Sequence, residues 1–263
     1  MTESEAARTF ALAYVPGVTP DKWVRRWNER EPHVPLDLVN SANDEAEGLV
    51  RDGTADAALL RLPIDRTGVH AIPLYTEKTV VVAPKEHLIA AADELTPADL
   101  DEEIVQHPLD DPLDWGAVDR EGPPGLPAIE RPATTGDAIQ LVAAGVGVLI
   151  VPQSVARLHH RKDLIHRPIE ELPESEVALA WLVRDETPEL MEQFIGVVRG
   201  RTPNSTRGKQ REQPAKKQRK QANPQGGRSQ GGKTQGAKKP GGKAPGGGRG
   251  GPRPGGRRSP RRR

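Results

Sequence analysis

Short apolar runs alternate with amphipathic stretches along the first 200 residues. Residues 9–15 (TFALAYV) are almost wholly apolar, the pattern of a strand covered on both faces. A Pro-Gly loop follows, and Thr19 stands where it can cap a helix whose first turn holds Pro20 and Asp21. In that helix Trp23 and Trp27 are four apart and share a face. Residues 35–40, 55–62, 68–74 and 78–83 read as further strands, with a helix over 43–51 ended by Asp52-Gly53. After Pro84 the elements shorten. A capped turn is predicted at 96–100, strands at 103–106, 129–132 and 148–151, and a helix at 135–144. A helical turn at 153–159, strands at 164–168 and 177–183, and a helix at 188–199 complete the pattern. Residues 108–127, rich in Pro, Gly and Asp, predict no element. This alternation predicts an α/β domain with mostly parallel strands.

Charge changes the picture by dividing the chain. Residues 1–200 hold 18 Lys and Arg against 36 Asp and Glu, a net −18. Residues 201–263 hold 20 Lys and Arg and one acid, Glu212, a net +19. The overall +1 therefore joins an acidic body to a basic tail. The tail carries 15 of the 27 glycines and no apolar residue larger than alanine, so it is expected to be disordered. The body, 1–200, is long enough for one sizeable globular unit. No cysteine is present, which excludes disulfide scaffolds, thiolate metal sites and cysteine nucleophiles. The first ten residues, MTESEAARTF, contain no apolar export core, and no run of 18 apolar residues occurs. A soluble, cytoplasmic protein without membrane contact is expected.

Several segments, in order, resemble a known family. Leu49-Val50-Arg51-Asp52-Gly53-Thr54-Ala55-Asp56-Ala57-Ala58-Leu59 is similar to the "l…l..G.lD.al" segment of LysR-type transcriptional regulators. Residues 74–88 (LYTEKTVVVAPKEHL) resemble their "L..e.lvlv.p..HpL" segment, and 95–100 (LTPADL) the "l...DL" turn that follows it. Residues 141–152 (LVAAGVGVLIVP) are similar to "lVaaGlGia.lP". The resemblance covers roughly 9–200. It implies the effector-binding domain of that family: a type 2 periplasmic-binding-protein-like fold of two Rossmann-like subdomains joined by two crossover strands. Subdomain I would comprise about 9–83 and 152–200, and subdomain II about 84–151, with crossovers near Ala83-Pro84 and Pro152. A small effector, often an anionic metabolite, would sit between them. The resemblance does not include the winged helix-turn-helix and linker helix with which family members begin. No specific DNA reader is therefore carried over.

Within such a fold, strand C-termini and helix N-termini face the ligand, and their free N–H groups favour anions. The candidate ligand-binding residues are Gly17, Val18 and Thr19 after the first strand, Ser41 and Asn43 after the second, and Thr134 and Thr135 opening the later helix. Arg61, at the end of the third strand, can pair bidentately with a carboxylate. The same residue types are also ordinary helix caps, and Arg61 can equally pair with a surface acid. Trp23 and Trp27, with Leu36 and Leu38, would form a homodimer face on the family pattern, or pack on their own sheet. Gly145-Val146-Gly147 follows a helix and opens a strand, the reverse of a dinucleotide loop, so a helix C-cap is expected. His159-His160, followed by Arg161-Lys162, reads as a solvated helix end rather than a metal site. No nucleophile elbow, HExxH or Walker loop occurs, so neither catalysis nor a cofactor is expected.

The densest tail clusters are Lys216, Lys217, Arg219 and Lys220, then Arg257, Arg258, Arg261, Arg262 and Arg263. They suit non-specific binding of DNA or RNA, with strong salt dependence. The tail has no aromatic residue for base stacking. It can also fold back on the acidic body. Two functions follow: an effector-sensing protein of the LysR type, acting as a homodimer or paired with a full-length regulator, or a nucleic-acid-associated protein whose body is only a dimerisation platform.

Overall fold

The computed structural model describes residues 9–201. In chain order the chain first forms β1 (Phe10–Tyr14), α1 (Asp21–Arg30), β2 (Leu36–Asn40), α2 (Ala46–Arg51), β3 (Ala57–Arg61) and β4 (Val69–Glu77). It continues through β5 (Thr79–Pro84), β6 (Ile104–Gln106), β7 (Leu126–Pro127), α3 (Thr135–Ala143), β8 (Val148–Pro152), α4 (Gln153–Leu158) and β9 (Leu164–Pro168). It ends with β10 (Ser175–Leu182) and α5 (Glu189–Val198).

These strands make two five-stranded sheets, ordered β2-β1-β3-β10-β4 and β7-β6-β8-β5-β9. Each is the centre of a lobe. In each sheet four strands run in one direction and one runs against them, β10 in the first and β5 in the second, so the strands are mostly parallel, as expected. Both crossovers lie elsewhere than the sequence suggests. β5 pairs with β8 and β9, which places 79–84 and 152–168 in the second lobe. The chain crosses at Lys78 and again between Pro168 and Ser175. Pro84 and Pro152 do not break the pairing because each stands opposite Leu164 or Thr79 next to a bonded pair, Lys85 with Asp163 and Lys78 with Gln153, so the ladder asks for no N–H from the proline itself.

The second sheet shows why the apolar runs were continuous. Val80 and Val82 pack on one face with Ala138, Ile139 and Val142 of α3. Val81 and Ala83 pack on the other with Leu95, Leu100 and Val105. Val148 and Ile150 alternate with Leu149 and Val151 in the same way. Gly147 brings β8 against β6: its φ is +70°, and a Cβ there would lie 2.1 Å from the Ile104 carbonyl oxygen. Gly145, at φ +80°, closes α3 as expected for a helix C-cap.

The first lobe is built on aromatic rings. Phe10 of β1, Trp27 of α1 and Phe194 of α5 meet with centroids 4.9–5.6 Å apart. Trp23 and Trp27 are both buried in this core, so the two rings pack on their own sheet. Thr19 does not cap α1; Pro20 precedes its first residue and no side-chain cap is made. The brief strand expected at 129–132 is absent, and the edge position is taken by β7.

Candidate functional site

β1, β2 and β3 run parallel, so the loops that follow them gather at one edge of the first sheet. Gly17 sits there at φ +83°, a left-handed conformation that suits glycine. A Cβ on it would lie 2.6 Å from Ser154 Oγ and 3.0 Å from the Val155 nitrogen of α4. The two lobes thus touch backbone to backbone at this point. Val18 turns its side chain into the first-lobe core and donates its N–H to the Val15 carbonyl. Thr19 is exposed. Ser41 is buried; its N–H donates to Tyr14 O, but its hydroxyl has no partner. Asn43 Oδ1 is likewise buried without a donor. Buried polar atoms are rarely left in this state without cause.

Arg61 ends β3 inside a buried polar cluster that pairs both of its Nη atoms and leaves its Nε without a partner. Its Nη1 donates to Glu77 Oε2 at 2.7 Å and to Ser175 Oγ at 2.8 Å. Its Nη2 donates to Pro16 O at 3.0 Å and to Ser154 Oγ at 3.1 Å. Ser154 Oγ in turn donates to Glu77 Oε2 at 2.8 Å. The Arg61 and Glu77 side chains are only 3% and 10% exposed, so this is a buried ion pair. Glu77 precedes the first crossover, Ser175 follows the second, and Ser154 belongs to α4. Arg61 therefore answers a carboxylate of its own chain and ties the lobes together at their junction. Burial and the neighbouring Glu77 push the Tyr75 hydroxyl up to about 12, against the pull of Arg61.

In the second lobe, Thr134 caps α3 through a reciprocal pair with Asp137, as its sequence position predicts. Thr135 is buried and donates both its N–H, at 2.6 Å, and its hydroxyl, at 2.8 Å, to Asp110 Oδ1. The α3 N-terminus thus already holds a carboxylate. Asp111 accepts from the Trp115 indole at 2.7 Å and lies 3.3 Å from His107 Nε2. Arg131 donates to the carbonyls of His107 and Pro108. Gln106 ends β6 with Nε2 on Val146 O and Oε1 unpaired.

The structure brings Gly17 and Arg61 to one point, leaves Ser41 and Asn43 beside them on the neighbouring strand end, and places Thr134 and Thr135 in the other lobe. Glu77, Ser154, Ser175, Asp110 and Gln106 escaped sequence reasoning. Only Gln106 carried a signal, a polar residue closing an apolar strand. Among the described residues, no group of three or more His, Asp or Glu is placed to hold a metal, and no helix is long and apolar enough to cross a membrane. The tail residues expected to bind nucleic acid, Lys216 to Arg263, lie outside the described residues.

Comparison with known proteins agrees with this architecture. The family model for the LysR substrate binding domain matches residues 5–203. The Hca operon transcriptional activator HcaR of Escherichia coli is 25% identical over 213 residues, 76% of this chain and 70% of HcaR. A probable hydrogen peroxide-inducible genes activator of Mycobacterium avium is 33% identical over 132 residues, 48% of this chain but only 42% of that protein. Among solved structures, the oxidised form of OxyR superposes with a TM-score of 0.61 at 18% identity, covering 74% of this chain and 96% of that one. The BenM effector binding domain with benzoate gives 0.60 at 17% identity, covering 76% and 96%. Two lobes with these sheets, and a family match across all of the described residues, lead to one conclusion: the chain belongs to the family of LysR substrate binding domains.

Proposed function

We propose that residues 9–200 bind a small anionic effector between the lobes and so serve transcription regulation. The observation that carries this reading is the unfinished polar loop after β2, where Ser41 Oγ and Asn43 Oδ1 are buried without partners. An effector oxyanion would accept from the Ser41 hydroxyl, and an effector hydroxyl or amine would donate to Asn43. Gly17, Val18 and Thr19 frame this site from β1, and Thr134 and Thr135 frame it from the second lobe. Arg61 acts as a positioning residue through Glu77. The BenM effector binding domain, which shares this fold and holds its effector benzoate, supports a small carboxylate-bearing effector here. Several solved neighbours are oxidised, reduced or cysteine-substituted forms of OxyR. The 263 residues here hold no cysteine, so a response through a thiol of this chain is excluded.

The test is a thermal-shift screen of the full chain against small carboxylates and phosphates. A true effector at a hundred times its Kd adds about 2.7 kcal/mol, which raises Tm by roughly 5–10 °C for a domain of this size. In the S41A/N43A double variant the same compound should bind at least about tenfold more weakly. A panel with no stabilising compound, or full stabilisation of the double variant, ends this reading.

The +19 of residues 201–263 supports a second, non-specific contact with DNA or RNA. Cutting after Gly200 should abolish retention on a DNA column and leave effector stabilisation intact. Equal retention by the shortened chain would refute the role of the tail. The open edge strand β2, with Leu38 42% exposed, supports pairing with a second copy or with a full-length LysR-type regulator.

A further inference from the structure

Besides the two crossovers, the lobes meet where the turn after β1 faces α4. The turn is a fixed part of the first lobe: Val15 and Val18 are buried in its core, and the Val18 N–H donates to Val15 O at 3.1 Å. α4 is a fixed part of the second lobe, with Val155 and Ala156 packed beside Val80 and Leu149. The Gln153 N–H donates to Lys78 O at 2.9 Å, which ties the start of α4 to the first crossover.

At Gly17 these two parts come together with no side chain between them. A Cβ there would lie 2.6 Å from Ser154 Oγ, 3.0 Å from the Val155 nitrogen and 3.1 Å from Arg61 Nη2, all inside the 3.4 Å at which ordinary contact begins. The Val155 nitrogen is backbone and has no rotamer to change. Ser154 is held as well. Its hydroxyl donates to Glu77 Oε2 at 2.8 Å and accepts from Arg61 Nη2 at 3.1 Å, both residues of the first lobe. Turning that hydroxyl aside forfeits both bonds beside a buried ion pair. The contact therefore acts in two senses. Hydrogen bonds through Ser154 resist parting of the lobes, and bare backbone at Gly17 resists closer approach.

We infer that Gly17 and Ser154 form a latch with a built-in stop that sets the angle between the lobes. Ser154 holds the angle through Arg61 and Glu77. The missing side chain of Gly17 decides how near the lobes come. The contact lies close to the crossovers, since Glu77 immediately precedes the first and Ser175, also bonded to Arg61, follows the second. It works on a short lever, so a small displacement here becomes a larger one at the far rim of the cleft. An effector held between the lobes would gain or lose affinity through this setting. That consequence rests on the effector site proposed above; the latch itself does not.

The test uses the full chain, which has no cysteine, so two introduced cysteines carry spin labels selectively. Asn28→Cys on α1 and Ala144→Cys after α3 place one label on an exposed position of each lobe. Double electron–electron resonance then reads the distance between the lobes. No effector is added, so the result is separate from that of the thermal-shift screen. Gly17→Ala should move the mean distance by about 2 Å or more. Adding Ser154→Gly removes the neighbour at 2.6 Å and should restore most of the natural distance, although the left-handed backbone of residue 17 stays strained. Ser154→Leu needs no unusual backbone angle and should shift the mean from the α4 side, even if Gly17→Ala does not fold. Ser154→Ala removes both hydrogen bonds without a wedge and should broaden the distribution about an unchanged mean. A mean unmoved by Gly17→Ala or by Ser154→Leu, a shift that Ser154→Gly does not reverse, or a distribution no broader in Ser154→Ala would overturn the inference.

Discussion

In the second lobe, the loop after β6 is secured by the chain itself. Asp110 takes both donors of Thr135, Asp111 takes the Trp115 indole, and Arg131 binds two carbonyls of the same loop. In the first lobe, the loop after β2 is left open, with Ser41 Oγ and Asn43 Oδ1 buried and unanswered. The cores differ in parallel. Three rings meet in the first-lobe core, Phe10 stacked on Phe194 with Trp27 tilted to one and edge-on to the other, whereas branched aliphatic side chains cover both faces of the second sheet. The lesson is one of division of labour: two lobes of matching strand logic can be finished as a rigid wall and as a receptive one. Unpaired buried groups each cost about 1–3 kcal/mol, so their concentration after β2 marks where an outside partner gains most.

The largest effect is expected where the lobes meet. Glu77→Ala leaves the Arg61 guanidinium buried without its carboxylate and should cost about 3–5 kcal/mol in urea unfolding. Replacing both partners, as R61M/E77L, should cost clearly less than E77A alone. A double variant as damaged as the single one would show that the pair is not the source of the cost.

A smaller effect should open the rigid lobe. Asp110→Ala strips Thr135 of its acceptor and should destabilise by about 1–2 kcal/mol. The vacated α3 N-terminus should then accept sulfate, giving a sulfate-dependent rise in Tm that the natural chain lacks. If sulfate stabilises both equally, the view of Asp110 as an internal occupant of an anion site is wrong.

The smallest effect concerns His166 on β9. Burial lowers its pKa below the usual 6.5, helped by Arg157, Arg167 and His160. The folded state thus favours the neutral ring. That contribution is complete above the unfolded value and is lost as pH falls through the lower folded value. His166→Gln should flatten the acid side of the stability profile just below pH 6.5. An unchanged slope there would place the acid sensitivity on other groups.

The local features of this molecule were readable from the sequence, and the long-range ones were not. Val80 to Ala83 declared a strand because every residue is apolar, and Thr134 to Asp137 declared the opening of a helix. The crossovers were misplaced because Pro84 and Pro152 look like breaks, although a proline at a non-hydrogen-bonded position of the ladder forfeits little. Arg61 was visible, but its partners were not. Glu77, Ser154 and Ser175 lie 16, 93 and 114 residues away, and no spacing rule connects them. The unpaired atoms of Ser41 and Asn43 were equally hidden, since a free hydroxyl or amide is a statement about neighbours.

The contact between the two crossovers has a mechanical consequence. Thr79 Oγ1 donates to Pro173 O at 2.5 Å, and the Ile169 N–H donates to Thr79 O at 3.2 Å. The connecting segments are therefore stapled side by side into one ribbon instead of acting as two independent threads. A ribbon bends easily across its thin dimension and resists shear in its plane. Any swing of one half of the molecule about the other is thereby channelled towards a single axis through Thr79 and Pro173, like a door on a strap hinge.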